Sequence, residues 1–447
     1  MRIDRLEIVN FKKFEQYTLD LHPQFTLLVG DNGSGKTSLL DALAIAAGIW
    51  LVNPPDSTLS NSGRNILPQE IRLEANKSGD RTQFVECKPV QIRAMGSIGD
   101  RNDVSWMRQI GASGSRTSNA EAKAVLQIIA QLCESEHSET PISLPVIAYY
   151  GAGRAWLPSN SRERRTTKSK SRRWDAFYDC FDERIRLPDL QNWFKNEAIA
   201  AVSRHGRMRP GYEVVKLAVL RCIPEADDFW YDPDLNEIVL EIAHNPQPFS
   251  NLSAGQKSIV ALIADIAIKA VTLNAFLLPE ELELDGETLP LLLQETSGLV
   301  LIDELDVHLH PKWQRRIVDT LKTTFPSIQF VCTSHSPFII QSLGPGELIG
   351  LDSEDRQSLE YENRSIEDIA ETIQFVEVPQ QSLKARELAE ATERYFELLQ
   401  QADSTPSEQL AEAEVAYRQA AERFSNTPGL TALLKLEAMA KAQENGE

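Results

Sequence analysis

The chain opens on alternation. Ile3, Leu6, Ile8 and Val9 lead to Phe11 and a Lys12–Lys13 turn, and a second run follows from Tyr17 to Leu21. Period-two spacing of this kind predicts two strands. "FTLLVG" (25–30) is apolar throughout, the pattern of a strand covered on both faces, and it ends in glycine. "TSLLDALAIAAGIWL" follows at once, with Leu39, Leu40, Leu43, Ala46 and Ala47 at helical spacing. Strand, glycine loop and helix therefore come in direct succession.

Further along, residues 53–67 read as a Pro/Asn/Ser-rich loop, 70–74 and 83–93 as strands, and "GSIGDRNDVSWMRQIGASGSRTSN" as a mobile Gly/Ser-rich stretch. A helix is expected over 119–134 and an apolar strand over 144–150. Helical patterns at 175–203 and 211–222 precede two short strands at 227–232 and 237–242. "NLSAGQKSIVALIADIAIKAV" reads as a loop opening a long apolar helix. "GLVLIDELDVHLHP" is a buried strand cut off by Asp303 and Glu304, and "HPKWQRRIVDTLKTTF" a helix beginning at Pro311. "SIQFVCTSH" is a second buried strand, followed by a short helix in "SPFIIQSL". Strands near 347–351 and 357–361 and a helix at 365–375 close this region. Past Pro379 the text becomes Ala/Glu/Leu/Gln-rich, with helices expected to Leu399, at 407–425 and at 429–442.

The chemistry gathers at the ends of the apolar strands. Gly30, Asp31, Asn32, Gly33, Ser34, Gly35, Lys36 and Thr37, with Ser38 after them, fit G-x-x-x-x-G-K-[ST] between a strand and a helix. Glycines allow positive φ and close backbone approach, so successive N–H groups can form an anion nest at a helix N-terminus. Lys36 would reach the β and γ phosphates and Thr37 would bind Mg²⁺. Asp303 and Glu304, with Asp306, His308 and His310 close behind, could by themselves be a metal-hydrolase centre. Beside a phosphate loop they read differently: Asp303 suits Mg²⁺, and Glu304 can take a proton from attacking water. His308 and His310 lack the i, i+4 spacing of helical zinc sites and are expected to pack or cap the turn into the Pro311 helix. Ser253, Gly255 and Gln256 open the long helix as a further anion site or a plain N-cap. His335, at the end of a buried strand, could contact the γ-phosphate.

In order, Gly30–Thr37, Leu252–Gln256, Leu299–Glu304 with Asp306, and His335 resemble the Walker A, signature, Walker B, D-loop and H-loop motifs of ABC-type ATPases. "RLEIVNFKKFEQYTLDL", "LIDELDVHLHPKWQ" and "TSHSPFII" resemble the SMC, RecF, RecN and OLD branch. "VIAYYGAGRAW", "FSNLSAGQKSIV" and the helical tail look like the compact bacterial defence ATPases typified by PtuA of the Septu system. The resemblance implies an α/β P-loop head with an inserted, mostly helical lobe and a C-terminal helical tail. On it, 1–154 and 251–378 form the two halves of the head, 155–250 the insert, and 379–447 a docking tail. It also implies two heads stacked head to tail on ATP and Mg²⁺, with Ser253 and Gly255 on the phosphate held by the partner's Lys36. A separate HNH-type nuclease is the implied effector, and a RecF-type repair ATPase acting directly on DNA is the alternative. A transporter ATPase fits poorly. Three departures stand out: Arg154 of "YYGAGR" lies where a Q-loop glutamine belongs, the insert is too short for an SMC arm, and no TOPRIM nuclease follows. "GLDSEDRQSLEY" reads as a solvated acidic turn.

Composition narrows the partners. Of 447 residues 42% are hydrophobic and 25% charged, a globular balance. The net charge of -19 repels nucleic acid, so DNA contact would need a local basic patch. "RERRTTKSKSRRW" (162–174), with seven basic residues and one acid, is the candidate, and Lys12 and Lys13 are a second. The five cysteines form no C-x-x-C pair, which argues against a zinc knuckle or disulfide framework. The N-terminus lacks a signal-peptide pattern and no run is expected to span a membrane, so the cytoplasm is the expected compartment.

Overall fold

The computed structural model describes residues 1–54, 59, 63–78, 81–134, 141–154, 172–223, 225–280, 288–352, 361, 364–400, 407–424, 432 and 436. The chain divides into two units, Met1–Ile369 and Ala370–Glu447.

The first unit holds two principal sheets. In one, β1 (Arg2–Phe11) pairs antiparallel with β2 (Phe14–Asp20) on one side; the remaining strands are introduced below. The other contains β3 (Phe25–Val29), every residue of which is buried, as its unbroken apolar run predicts. After β3 the chain makes the Gly30–Gly35 loop and enters α1 (Lys36–Ala47). Ten residues of α1 are buried, because it lies between the two sheets, packing on strands of both. That is why its apolar residues run round the helix instead of forming one stripe.

Beyond α1 come β4 (Leu73–Ser78) and β5 (Arg81–Glu86), an exposed two-stranded hairpin. β6 (Val90–Ile98) and β7 (Arg101–Ile110) complete the antiparallel sheet in the order β2-β1-β6-β7. The stretch expected to be mobile thus contains the whole of β7 and the end of β6. Its pattern is disguised by Arg108, a buried residue whose guanidinium donates to the carbonyls of Ile45 at 2.7 Å and Arg64 at 2.5 Å. A charged letter stands where an apolar one marks an ordinary inward position. The strands expected at 70–74 and 83–93 are in fact three, β4, β5 and β6.

α2 (Lys123–Glu134) and β8 (Val146–Tyr150) follow. Of the basic segment 162–174, the stretch 172–174 falls within the described residues. Arg173 donates to the carbonyls of Leu273 and Ile142, both at 2.6 Å, a structural engagement. The helix expected over 175–203 is shorter: α3 (Leu187–Val202) starts where Pro188 can occupy a first-turn position. α4 (Pro210–Cys222) precedes a three-stranded sheet of β9 (Ala226–Asp232), β10 (Glu237–Ile242) and β11 (Asn245–Pro248), the last unforeseen.

α5 (Ala254–Asn274) runs through the interior. With the turn after it, to Leu277, it is long and apolar enough by composition to cross a membrane, which corrects the expectation that no run approaches a span; most of it is buried inside the protein. After α6 (Leu291–Glu295) come β12 (Gly298–Ile302), α7 (Pro311–Thr324), β13 (Ile328–Thr333), α8 (Pro337–Ile340) and β14 (Leu348–Gly350). The second sheet is fully parallel, in the order β14-β3-β13-β12-β8. Buried Gln329 of β13 ties the sheets together: it accepts from Ile3 N–H at 2.9 Å and donates to the carbonyls of Ile3 at 2.7 Å and His22 at 3.1 Å.

α9 (Ile366–Thr372) leads into the second unit, a hairpin of α10 (Leu383–Gln400) and α11 (Ser407–Glu422). Tyr395 stacks on Tyr417 with ring centroids 5.5 Å apart, and Arg423 pairs with Glu387 at 2.9 Å. The helix expected at 429–442 and the strand at 357–361 lie outside the described residues, apart from isolated positions. The fold is α/β: a five-stranded parallel sheet and a four-stranded antiparallel sheet enclosing α1, with helical insertions and a C-terminal helical region.

Candidate nucleotide site

The parallel sheet order builds the site. β13 lies between β3 and β12, so the strands leading into the glycine loop and into Asp303 run two strand spacings apart, about 10 Å. The end of β13 fills the gap with Thr333. Its hydroxyl donates to Asp303 Oδ1 at 2.6 Å and accepts from Glu304 N–H at 2.7 Å. On the other side the Thr37 hydroxyl donates to Asp303 Oδ2 at 2.9 Å. Both oxygens of the carboxylate are therefore held by threonines, one ending β13 and one in the first turn of α1. Asp303 N–H and Leu305 N–H continue the ladder, to Tyr150 O and Thr333 O, both at 2.8 Å.

The loop itself is bent as its glycines allow. Gly35 has φ +105°, and a Cβ there would lie 2.5 Å from the Phe14 ring, so no other residue fits. Lys13 rests on the same loop, donating to Gly33 O at 2.8 Å. Lys36 Nζ donates to the carbonyls of Gly30 at 2.7 Å and Asp31 at 3.0 Å. Burial lowers its pKa, while Asp303, Asp352, Asp31 and Glu304 act against that. The Ser34 hydroxyl is buried with no hydrogen-bond partner. Asn32 and Ser38 are exposed and half-buried respectively. Asp352, read from sequence as part of a solvated turn, instead accepts from Asp31 N–H at 2.5 Å.

Lys12 does not face this loop. It is engaged by Asp41 of α1 and lies 3.8 Å from Glu70, and Arg64 pairs with both acids. That buried cluster consumes one of the two lysines proposed for a ligand.

Past the strand, Glu304 adopts φ +49° and His308 φ +64°. Left-handed backbone costs a non-glycine residue roughly 1–2 kcal/mol, so the turn is imposed by its surroundings. Asp306 Oδ1 accepts from Ser334 Oγ at 2.6 Å and from His335 N–H at 3.4 Å, which fixes the backbone carrying the exposed His335. His310 caps α7, accepting from Lys312 N–H at 3.2 Å, as expected of a turn histidine.

Ser253 and Gln256 form a capping box at the start of α5: Gln256 N–H donates to Ser253 Oγ at 3.3 Å and Ser253 N–H to Gln256 Oε1 at 2.9 Å. Gly255 is buried, and a Cβ on it would collide with the His308 carbonyl. The start of α5 and the Asp303–His308 turn are thus in direct main-chain contact.

Sequence reasoning located Lys36, Thr37 and Asp303 but not what holds them. Thr333 and Arg154 come to Asp303–Glu304 from neighbouring strands. The signal for Thr333 was a hydroxyl ending an otherwise apolar strand. Arg154, noted only as a substitute for a glutamine, is buried with its guanidinium on the Asp303 and Glu304 carbonyls. Beside it, Glu183 is pushed up in pKa by burial and then by the charges of Asp41 and Asp303.

The donor set fits a magnesium nucleotide. Mg²⁺ takes hard oxygen ligands, and a hydroxyl and a carboxylate stand 2.9 Å apart at a helix start. Lys36 and the turn of N–H groups supply the positive side for phosphate.

Residues 5–198 match a family model described as "AAA domain", and 236–341 one described as "AAA domain, putative AbiEii toxin, Type IV TA system". The "Retron Ec83 probable ATPase" of Escherichia coli is 27% identical over 77% of this chain and 70% of its own length. The "Retron Vc95 probable ATPase" of Vibrio cholerae serotype O1 biovar El Tor is 24% identical over 77% and 72%. The "Septu protein PtuA" of Bacillus mycoides is 25% identical over 80% of this chain, which spans 41% of that protein. Among solved structures, an SMC head domain from Thermotoga maritima aligns over 78% of this chain and 94% of its own with a TM-score of 0.42 and 14% identity. Two stretches of the chain thus match AAA-domain models, and the chain is distantly similar to retron and Septu ATPases.

Proposed function

We propose that this chain is a Mg²⁺-dependent ATPase that closes head to tail around ATP and thereby controls a separate nuclease in bacterial antiphage defence. The observation that carries the catalytic part is the Asp303 carboxylate held between Thr37 and Thr333, with Glu304 on the next residue. Mg²⁺, when bound, would neutralise phosphate charge and orient the γ-phosphate. Lys36 and the N–H groups of Gly33–Thr37 bind the phosphates. Thr37 and Asp303 hold the metal, and Glu304 accepts the proton of the attacking water. His335 contacts the γ-phosphate from the end of β13. Ser253, Gln256 and Asp306 lie at the face a second copy would meet, and Gly255 sets that face through its contact with the 303–308 turn.

The defence role and the HNH-type nuclease rest on the retron and Septu relatives. The DNA-repair reading draws on a match to RecF of Staphylococcus epidermidis, 42% identical but over 10% of this chain. Salt-sensitive, ATP-stimulated DNA binding by the purified protein would favour it.

Lys36→Ala should abolish nucleotide binding. Glu304→Gln should bind ATP, lose roughly 10²–10⁴-fold in turnover, and accumulate as an ATP-dependent dimer in size-exclusion chromatography with light scattering. Unchanged turnover in the glutamine variant would remove Glu304 from the chemistry.

A further inference from the structure

β8 ends at Tyr150, and the chain turns through Gly151 to Arg154. Arg154 is 3% exposed. Its Nη1 donates to Asp303 O at 2.8 Å and to Glu304 O and Gly151 O, both at 3.3 Å. Its Nη2 donates to Glu304 O at 3.2 Å. Nε is buried without a partner, and burial lowers the pKa of the group. A buried guanidinium is costly, and an apolar residue of similar volume is often no less stable. What an apolar residue cannot do is hold two consecutive carbonyls with one planar fork.

Those carbonyls belong to the Asp–Glu pair. Glu304 sits in the left-handed region, where its own backbone preference opposes the conformation. Thr333 fixes its N–H and Arg154 its C=O, so both peptide units flanking the Glu304 Cα are clamped. The direction in which its carboxylate leaves the main chain follows from that clamp. The same turn is fastened to the segment 180–185. Tyr149 N–H donates to Cys180 O at 2.8 Å, Gly151 N–H to Glu183 O at 2.9 Å, and Ile185 N–H to Arg154 O at 3.3 Å. Gly151 has no room for a side chain, since a Cβ would lie 2.7 Å from Glu183 Cβ.

We propose that Arg154 is a positioning residue: its guanidinium sets the Glu304 main chain, and its turn passes the placement of segment 180–185 to the hydrolytic carboxylate. The proposal rests on the reading of Glu304 as the general base. It places the link between the nucleotide site and the chain beyond β8 in an arginine acting on carbonyls.

The test is a double-mutant cycle between Arg154 and Glu304 in the full chain, reading ATP turnover and nucleotide affinity separately. Arg154→Lys, a point donor that cannot span both carbonyls, should keep its ATP Kd within about threefold and lose roughly 10-fold in kcat. Arg154→Met should lose roughly 10²-fold in kcat, the cost expected when a catalytic group is displaced by about 1 Å. In the Glu304→Gln background neither substitution should reduce kcat further. Equal losses in both backgrounds, or a raised Kd with kcat unchanged, would overturn the positioning role. Unchanged turnover in Glu304→Gln alone sinks the general-base reading and this proposal with it, and that result is distinguishable from the others. If Arg154→Met fails to fold, the lysine variant alone decides through its split between kcat and Kd.

Discussion

Replacing Thr333 with valine removes one hydroxyl and leaves the shape nearly unchanged. The position is fully buried, so the loss is not repaired by solvent. Two bonds go at once: the donor to Asp303 Oδ1 at 2.6 Å and the acceptor for Glu304 N–H at 2.7 Å. A hydrogen bond to a charged group contributes about 1.5–3 kcal/mol, and a part-buried N–H left unpaired costs about 1–3 kcal/mol. The added methyl returns about 0.8 kcal/mol. Destabilisation of roughly 2–5 kcal/mol follows. Thr333→Ser is the control: it keeps the hydroxyl and loses a methyl, about 1 kcal/mol. Urea unfolding followed by the fluorescence of buried Trp50, Trp106 and Trp174 would measure both variants. Valine should also raise the Mg²⁺ concentration needed for half-maximal hydrolysis, because Asp303 is then held by Thr37 alone. If valine and serine variants unfold within about 0.5 kcal/mol of each other, the hydroxyl does not hold the Asp–Glu pair, and the account of the site given above is wrong.

Three further outcomes are expected. Gly255→Ala, which drives a methyl into the His308 carbonyl, should cost about 1–3 kcal/mol by overpacking and reduce the ATP-dependent dimer seen by light scattering. Glu183 has a pKa raised above its ordinary 4.5, so its contribution to stability falls as pH rises through the folded value. Glu183→Gln should therefore match the parent in urea midpoint below pH 4.5 and exceed it at neutral pH; identical midpoints at both would contradict the shift. Gly35→Ala should fail to bind nucleotide and unfold more readily, since both φ and the Phe14 ring exclude a side chain; thermal melting and a fluorescent nucleotide read the two effects.

The parts of the site written as short contiguous strings were legible in the sequence. Gly30–Thr37 and Leu299–Glu304 each carry strand, turn and chemistry within a few residues, and period and composition suffice to read them. Thr333 and Arg154 were not legible as partners of Asp303, because their approach depends on β13 and β8 flanking β12, and strand order is not written in any local pattern. β7 was lost for a related reason: Arg108 is satisfied by carbonyls from α1 and the following loop, which cannot be known before those elements are folded around it. Asp352 looked solvated because its partner, Asp31 N–H, is 321 positions away. The His310 cap, which is local, was foreseen, and the Ser253 cap was one of the two readings its stretch allowed.

Gly255 against the His308 carbonyl has a consequence for how such a molecule can be tuned. A contact between two side chains can be strengthened, weakened or inverted by substitution. This one joins two stretches of bare main chain, so mutation can break it but has no atom with which to adjust it. The turn bearing Glu304 and the first turn of α5 therefore meet main chain to main chain, with no side chain between them. Adjustment of that contact by substitution must then be sought at the side chains around it, not at the joint itself.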